Sequence, residues 1–233
     1  MIHKLILGTA GLGGQEYAGR TVTREDAKRV INRAWELGLH NFDTAPAYGF
    51  AEELLAEAFE FMGCAHIFTK DSERHQKHGR LSLMQPRPSI LWHNWTKYCG
   101  IEHSDQYVDG VSVYQDEIGN ALAEGYGLIE CEWNLLRQCA IPDGITFIAR
   151  SVFGRGLAKK SLIAQEIANA LDLDVHQLFL QAALQHPRID HVIIGPQTIE
   201  ELEQCVAWSR KPLNFWQVLD VADRKLTDPR LYK

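Results

Sequence analysis

The stretch Asn41-Phe42-Asp43-Thr44-Ala45-Pro46-Ala47-Tyr48-Gly49 decides how the rest of the 233-residue chain is read. Before it, Ala27, Val30, Ile31, Ala34 and Trp35 recur at i, i+3, i+4, i+7 and i+8, a one-faced helix with Thr23 as N-cap and Gly38 as stop. After it, Ala51, Leu54, Leu55, Ala58, Phe59 and Met62 repeat that spacing up to Gly63. Between two helices the stretch reads as a short buried strand running out into a loop that carries Asp43 and Tyr48. Loops at the carboxyl ends of strands are where β/α proteins keep their chemistry.

Working outward, Leu5-Ile6-Leu7-Gly8 is an apolar strand closed by the glycine-rich run Gly8-Thr9-Ala10-Gly11-Leu12-Gly13-Gly14. The run does not match GxGxxG, because Glu16 stands where the third glycine belongs, so a Rossmann phosphate turn is not supported. Two uses for it stay open: a turn that needs positive φ, or a contact to a cofactor. His66-Ile67-Phe68-Thr69-Lys70 is the next strand and ends in a lysine, and Ser89-Ile90-Leu91-Trp92-His93, entered through Pro88, ends in a histidine. Between them, Asp71 to Pro88 is polar, holds Gly79, Pro86 and Pro88, and lacks helical periodicity. Farther on, Asp174-x-x-Gln177 opens an apolar helix that runs to His186 before Pro187. His191 to Gly195 is a last strand, and Thr198-x-x-Glu201 caps a helix with Ile199, Leu202, Cys205 and Val206 on one face. Strand and helix alternate, the βαβ pattern of a parallel sheet.

The opening stretch followed by Ala51-Glu52-Glu53-Leu54-Leu55-Ala56-Glu57-Ala58-Phe59 resembles the signature of the aldo-keto reductase family. The resemblance implies a TIM (β/α)8 barrel, here one compact domain spanning 1–233, and it supplies the remaining strands: Tyr107 to Ser112, Gly127 to Cys131 and Thr146 to Ser151. Glu132-Trp133-Asn134-Leu135-Leu136 is similar to the family's aromatic-Asn-Leu-Leu stretch, and Val152 to Leu157 to its seventh loop. Members have a full helix between the third and fourth strands, so Asp71 to Pro88 is expected to form a shortened or irregular third crossover. Such trimming suits a chain shorter than the roughly 250 residues usual for this fold.

The resemblance further implies an NADP- or NAD-dependent oxidoreductase that reduces an aldehyde or ketone, or oxidises the alcohol. Asp43, Tyr48, Lys70 and His93 fall at the ends of strands two, three and four. Adjacent strands lie about 4.8 Å apart, so four such side chains can converge on one atom. Hydride attack on a carbonyl builds negative charge on oxygen, which calls for an acid and polarised donors already in place. Tyr48 is the expected acid, Lys70 the charge that lowers its pKa, Asp43 the partner that keeps Lys70 protonated, and His93 the donor that orients the carbonyl. Ser112, Glu130, Arg150, Ser151, Gly195 and Gln197 take the cofactor-binding positions. Val113 stands where many members have Asn, Glu130 replaces a common Gln, and Arg150 occupies a place often given to an aromatic residue. The turn Gly195-Pro196-Gln197 before a helix reads either as a phosphate seat or as an ordinary strand-to-helix turn. No Lys or Arg lies between Gly195 and Glu203 to hold a 2′-phosphate, which expects little preference between the two nucleotides.

Composition bounds the alternatives. A formal net charge of −6 argues against nucleic acid as a partner. No apolar run reaches the roughly 20 residues of a membrane span. Five scattered cysteines with no Cys-x-x-Cys fit reduced thiols, so a cytoplasmic setting is expected. Two competing readings keep the barrel: a non-catalytic binding or regulatory protein, and a metal-dependent hydrolase that uses some of the ten histidines. His75 and His78 sit at i, i+3, yet in the polar break rather than at a strand end, and no metal is expected.

Overall fold

The computed structural model describes residues 1–59, 65–71, 89–93 and 109–213, with Asp71, Ile90, Trp92 and His93 described in backbone alone. Eight strands follow one another in chain order: β1 (Leu5–Gly8), β2 (Asn41–Asp43), β3 (His66–Asp71), β4 (Ser89–His93), β5 (Gly110–Val113), β6 (Leu128–Glu132), β7 (Thr146–Arg150) and β8 (His191–Ile194). All are parallel. β1 pairs with both β2 and β8, Leu7 standing opposite Phe42 on one side and Ile194 on the other, so the sheet closes into the expected barrel.

Side chains alternate along a strand, and this sorts the barrel into two regions. Leu5, Leu7, Phe42, Ile67, Val111, Ile129, Phe147 and Val192 belong to the core shared with the surrounding helices. Ile6, Phe68, Leu91 and Ile148 form a separate cluster, with Leu128 and Ile193 packed against it. This second set is the apolar plug of the barrel interior. Two residues farther along their strands from Phe68, Leu128 and Ile148 stand Lys70, Glu130 and Arg150, so the plug is capped toward the carboxyl ends by charge.

Among the described residues the α-helices are α1 (Arg24–Glu36), α2 (Ala51–Phe59), α3 (Ile118–Ala123), α4 (Leu157–Lys160), α5 (Leu162–Ala170), α6 (Val175–Gln185) and α7 (Ile199–Ser209). Ala27, Val30, Ile31 and Ala34 are the buried face of α1, Thr23 Oγ1 accepts from the Asp26 N–H at 3.1 Å, and Gly38 takes φ 91° beyond its end. α2 packs on the opening stretch and α1 packs on α2, with ring centroids of Phe42 and Phe59 4.7 Å apart and those of Trp35 and Phe59 5.1 Å apart. Burial of such a side chain stabilises by about 1.5–3 kcal/mol, so the strand before Tyr48 is anchored by packing rather than by its length.

Several boundaries differ from the sequence expectation. β5 is seen as Gly110–Val113, the expected start at Tyr107 lying outside the described residues, β6 covers Leu128–Glu132, and β7 stops at Arg150, where Ser151 turns into the left-handed region at φ 56°. Asp174 does cap α6, but it accepts from the His176 N–H rather than completing a box with Gln177. Thr198 caps α7, while the Glu201 carboxylate accepts from the Gln197 N–H, one residue before the cap. The third crossover (72–88) and the tail beyond Leu213 lie outside the described residues.

Candidate active site

β2 delivers Asp43 to the barrel mouth, and its carbonyl is gripped by the residue that follows β1: the Thr9 N–H donates to Asp43 O at 2.9 Å and the Thr9 hydroxyl at 3.0 Å. On the other side the Thr44 N–H donates to Phe68 O at 2.8 Å. The chain then turns, Tyr48 N–H donating to Ala45 O at 2.9 Å, and enters α2 through the Ala51 N–H to Tyr48 O at 3.1 Å. The glycine-rich loop supports this turn from below. A Cβ on Gly13 would lie 1.8 Å from Tyr48 O, and one on Gly49, whose φ is 56°, 2.0 Å from Gly13 O. Phe50 N–H also donates to Gly13 O at 3.2 Å. Gly14 of the loop takes φ 80°, and its neighbour Gly13 permits a close backbone approach that fixes where half-buried Tyr48 stands.

Lys70 leaves β3 into a space bounded by two carboxylates. Its ammonium is hydrogen-bonded to Asp43 Oδ2 and lies 2.7 Å from Glu130 Oε2. Asp43 and Lys70 are each 5% exposed and Glu130 2%. Ser112 of β5 donates to Glu130 Oε1 at 2.8 Å, and Arg150 Nε of β7 approaches that oxygen to 3.7 Å. Arg150 also donates from Nη2 to Val113 O at 2.9 Å and places its guanidinium 5.2 Å from the Tyr114 ring centroid. Tyr114 was not anticipated, since nothing in the sequence marks a residue just past a strand as the cover of a neighbouring cation.

Burial decides the protonation states here. Loss of water pushes the Asp43 carboxyl up to about 8, with the Glu130 charge adding to the rise and Lys70 opposing it. Burial also disfavours the Glu130 carboxylate, but Lys70, Arg150 and Ser112 outweigh it and hold this acid below its usual range. Burial works against the Lys70 ammonium too, and the two carboxylates more than offset it. The two acids thus titrate as a coupled pair around one ammonium, Asp43 the more readily protonated and Glu130 the more readily ionised. The Tyr48 phenol is pushed above its usual range by burial and by Asp43, against the pull of Lys70, with Glu130 adding to the rise. The sequence pointed the other way, to a phenol acidified by Lys70. The difference is physical: an ammonium already matched by two carboxylates has little field left for a third group.

The expected cofactor positions divide into two groups. Ser112, Glu130 and Arg150 come together, Ser151 follows them on strained backbone, Arg150 Nε is buried without a hydrogen-bond partner, and Glu130 Oε2 faces the Lys70 ammonium. Such a set can take an amide, whose oxygen and N–H₂ need one donor and one acceptor. Gly195 and Gln197 lie apart, at the entry to α7, where Gln197 Nε2 donates to Gly11 O at 3.2 Å. Beside them opens a cavity of about 370 Å³ lined by Arg20, Asp26, Arg29, Gln197, Thr198 and Glu200. Its basic residues come from the first crossover, not from the segment Gly195 to Glu203. Arg20 is paired with Glu201 at 2.7 Å and Arg29 with Asp26. His93 ends β4 opposite Ser112 in register, which puts its backbone at the same mouth.

Comparison with known proteins agrees with this architecture. Residues 4–76 match the sequence profile of the Aldo/keto reductase family. A pyridoxal 4-dehydrogenase of Microbacterium luteolum is 24% identical, the alignment covering 94% of this chain and 93% of that protein. Among solved structures, the holo form of an aldo-keto reductase from Bacillus halodurans superposes with a TM-score of 0.71 at 19% identity, over 94% of this chain and 91% of that one. The glycerol dehydrogenase of Gluconobacter oxydans gives 0.68 at 17% identity, over 97% and 93%. The likeness in fold to these solved structures thus extends over nearly the whole chain, while the family profile matches its first third.

Proposed function

We propose that the chain is an aldo-keto reductase, an oxidoreductase that uses NAD or NADP to reduce an aldehyde or ketone, or to oxidise the alcohol, with Tyr48 exchanging the proton. The observation that carries this reading is the convergence of Asp43, Lys70 and the Tyr48 turn over an apolar plug, in a chain whose residues 4–76 match the family profile. A bound reduced nicotinamide supplies the hydride. Ser112, Glu130 and Arg150, with Ser151 beside them, are the residues to hold its carboxamide. Tyr48 gives its proton to the carbonyl oxygen as the new C–H bond forms, and the phenolate left behind takes a proton from water before the next turnover. His93 is assigned to hydrogen-bond the same oxygen.

A second reading keeps nucleotide binding and drops turnover. It draws on one observation, the phenol pushed above its usual range, which weakens the proposed acid. The two separate in one experiment: nicotinamide absorbance during turnover of a carbonyl panel that includes pyridoxal, with glycerol in the oxidative direction. Tyr48→Phe deletes the acid, and turnover should fall about 100-fold or more while nucleotide binding, followed by quenching of tryptophan fluorescence, stays within a few-fold. Equal turnover in both proteins would overturn the assignment of Tyr48. Binding without turnover of any substrate favours the second reading.

A further inference from the structure

Glu130 does more than line the mouth. It stands on β6, three strands from Lys70 on β3, and the two meet across the interior at 2.7 Å. Its other oxygen is fixed by Ser112 at 2.8 Å and approached by Arg150 at 3.7 Å, so the carboxylate cannot swing away without breaking contacts to β5 and β7. An ammonium has three donors. One is held by Asp43 and one is directed at Glu130, and among the described residues no hydrogen bond joins Lys70 to Tyr48.

We propose that Glu130 is a positioning residue that draws Lys70 away from Tyr48 and thereby keeps Tyr48 in its neutral, proton-carrying form. The groups facing the phenol are Asp43 from β2, Lys70 from β3, Glu130 from β6 and Tyr17 from the loop before α1. Those facing Glu130 are Lys70, Arg150 and Ser112, together with Asp43. Above about pH 8 both acids are ionised around one ammonium, so Glu130 adds a net negative charge to the surroundings of Tyr48. With glutamine in its place that charge is gone, the size and hydrogen-bonding reach are kept, and Lys70 answers only to Asp43 and the phenol. In a reductase the wild-type arrangement keeps the donor loaded at every physiological pH, at the cost of a weaker acid. The inference deepens the role given to Tyr48 above, but its test needs neither nucleotide nor substrate.

The test is an ultraviolet titration of phenolate in the free protein, taken as the difference between each background and the same background carrying Tyr48→Phe. In wild type, Tyr48 should contribute no phenolate signal at about pH 10, where an ordinary phenol is half-ionised. In Glu130→Gln a Tyr48-dependent signal should be present at that pH, its midpoint lowered by at least about one pH unit, a tenfold gain in acid strength. Glu130→Asp retains the charge on a shorter arm, and its midpoint should fall between the two, an ordering that a purely structural role would not produce. Near-ultraviolet circular dichroism at the same pH checks that each variant is folded. The same Tyr48 signal in wild type and in both variants would overturn the proposal. A shift in the expected order upholds it even if no nucleotide binds, whereas nucleotide-dependent turnover with an unmoved titration refutes it while leaving the oxidoreductase reading standing.

Discussion

Asp43 shares a dry space with a second acid and a single ammonium, and this makes it a source of pH-dependent stability. An unfolded aspartate titrates near 3.9, whereas in the fold Asp43 keeps its proton up to about 8. Its contribution is therefore fully present below about pH 4 and is lost as pH rises through about 8, because the folded state alone binds the extra proton in between. Asp43→Asn imitates the protonated acid and has no such titration. Denaturant midpoints should show wild type losing ground to this variant between about pH 5 and pH 8, and parallel curves over that range would exclude the shared proton. Glu130 has the opposite sign, but its window lies below the usual carboxylate pKa and leaves this range clear. At this scale the sequence was half legible. Asp43 and Lys70 could be placed at strand ends and Tyr48 in the loop after Asp43, with the family resemblance giving the set, whereas the Lys70–Glu130 pair joins residues 60 positions apart on strands that are not neighbours, and no local pattern encodes that.

Among the elements, the turn carrying Tyr48 depends on backbone contact with the glycine-rich loop, and Gly13 is its most exacting position. Its φ of −88° suits any residue, so the need for glycine is one of space, the overlap with Tyr48 O. Gly13→Ala should destabilise the fold by ~1–3 kcal/mol through overpacking. It should also displace Tyr48, and misplacement by about 1 Å costs on the order of 100-fold in rate. Thermal unfolding and turnover measured together check this; normal turnover with an intact fold would show that the turn is held by other means. Helices α1, α2, α6 and α7 were legible from their 3.6-residue spacing and caps. The short helices α3 and α4 were not, since four to six residues give too few repeats for a period to emerge. In β5 the pairing with β4 and β6 is seen from Gly110 and Val111, while the expected start at Tyr107 lies outside the described residues.

Closure of β1 onto β8 sets the whole molecule's geometry: it brings the first crossover beside α7 and builds the cavity where Arg20 and Arg29 face Thr198 and Glu200. Both arginines already have acidic partners, and the N–H of Gln197 at this helix entry is taken by Glu201. A 2′-phosphate entering here would have to displace those carboxylates, while a ribose hydroxyl would not. Isothermal titration at fixed salt should therefore show NADP favoured over NAD by less than about 100-fold, or 2.7 kcal/mol, and a larger preference would require arginines released from these pairs. Closure also holds Lys70 between carboxylates from opposite sides of the mouth, so its nitrogen keeps three protons and carries no lone pair. An amine in that state is no nucleophile, since condensation with a carbonyl begins from the free base. An aldehyde brought to this mouth can be hydrogen-bonded by Lys70 without being captured as an imine, so the same two carboxylates also protect the site from covalent inactivation by its own proposed substrate.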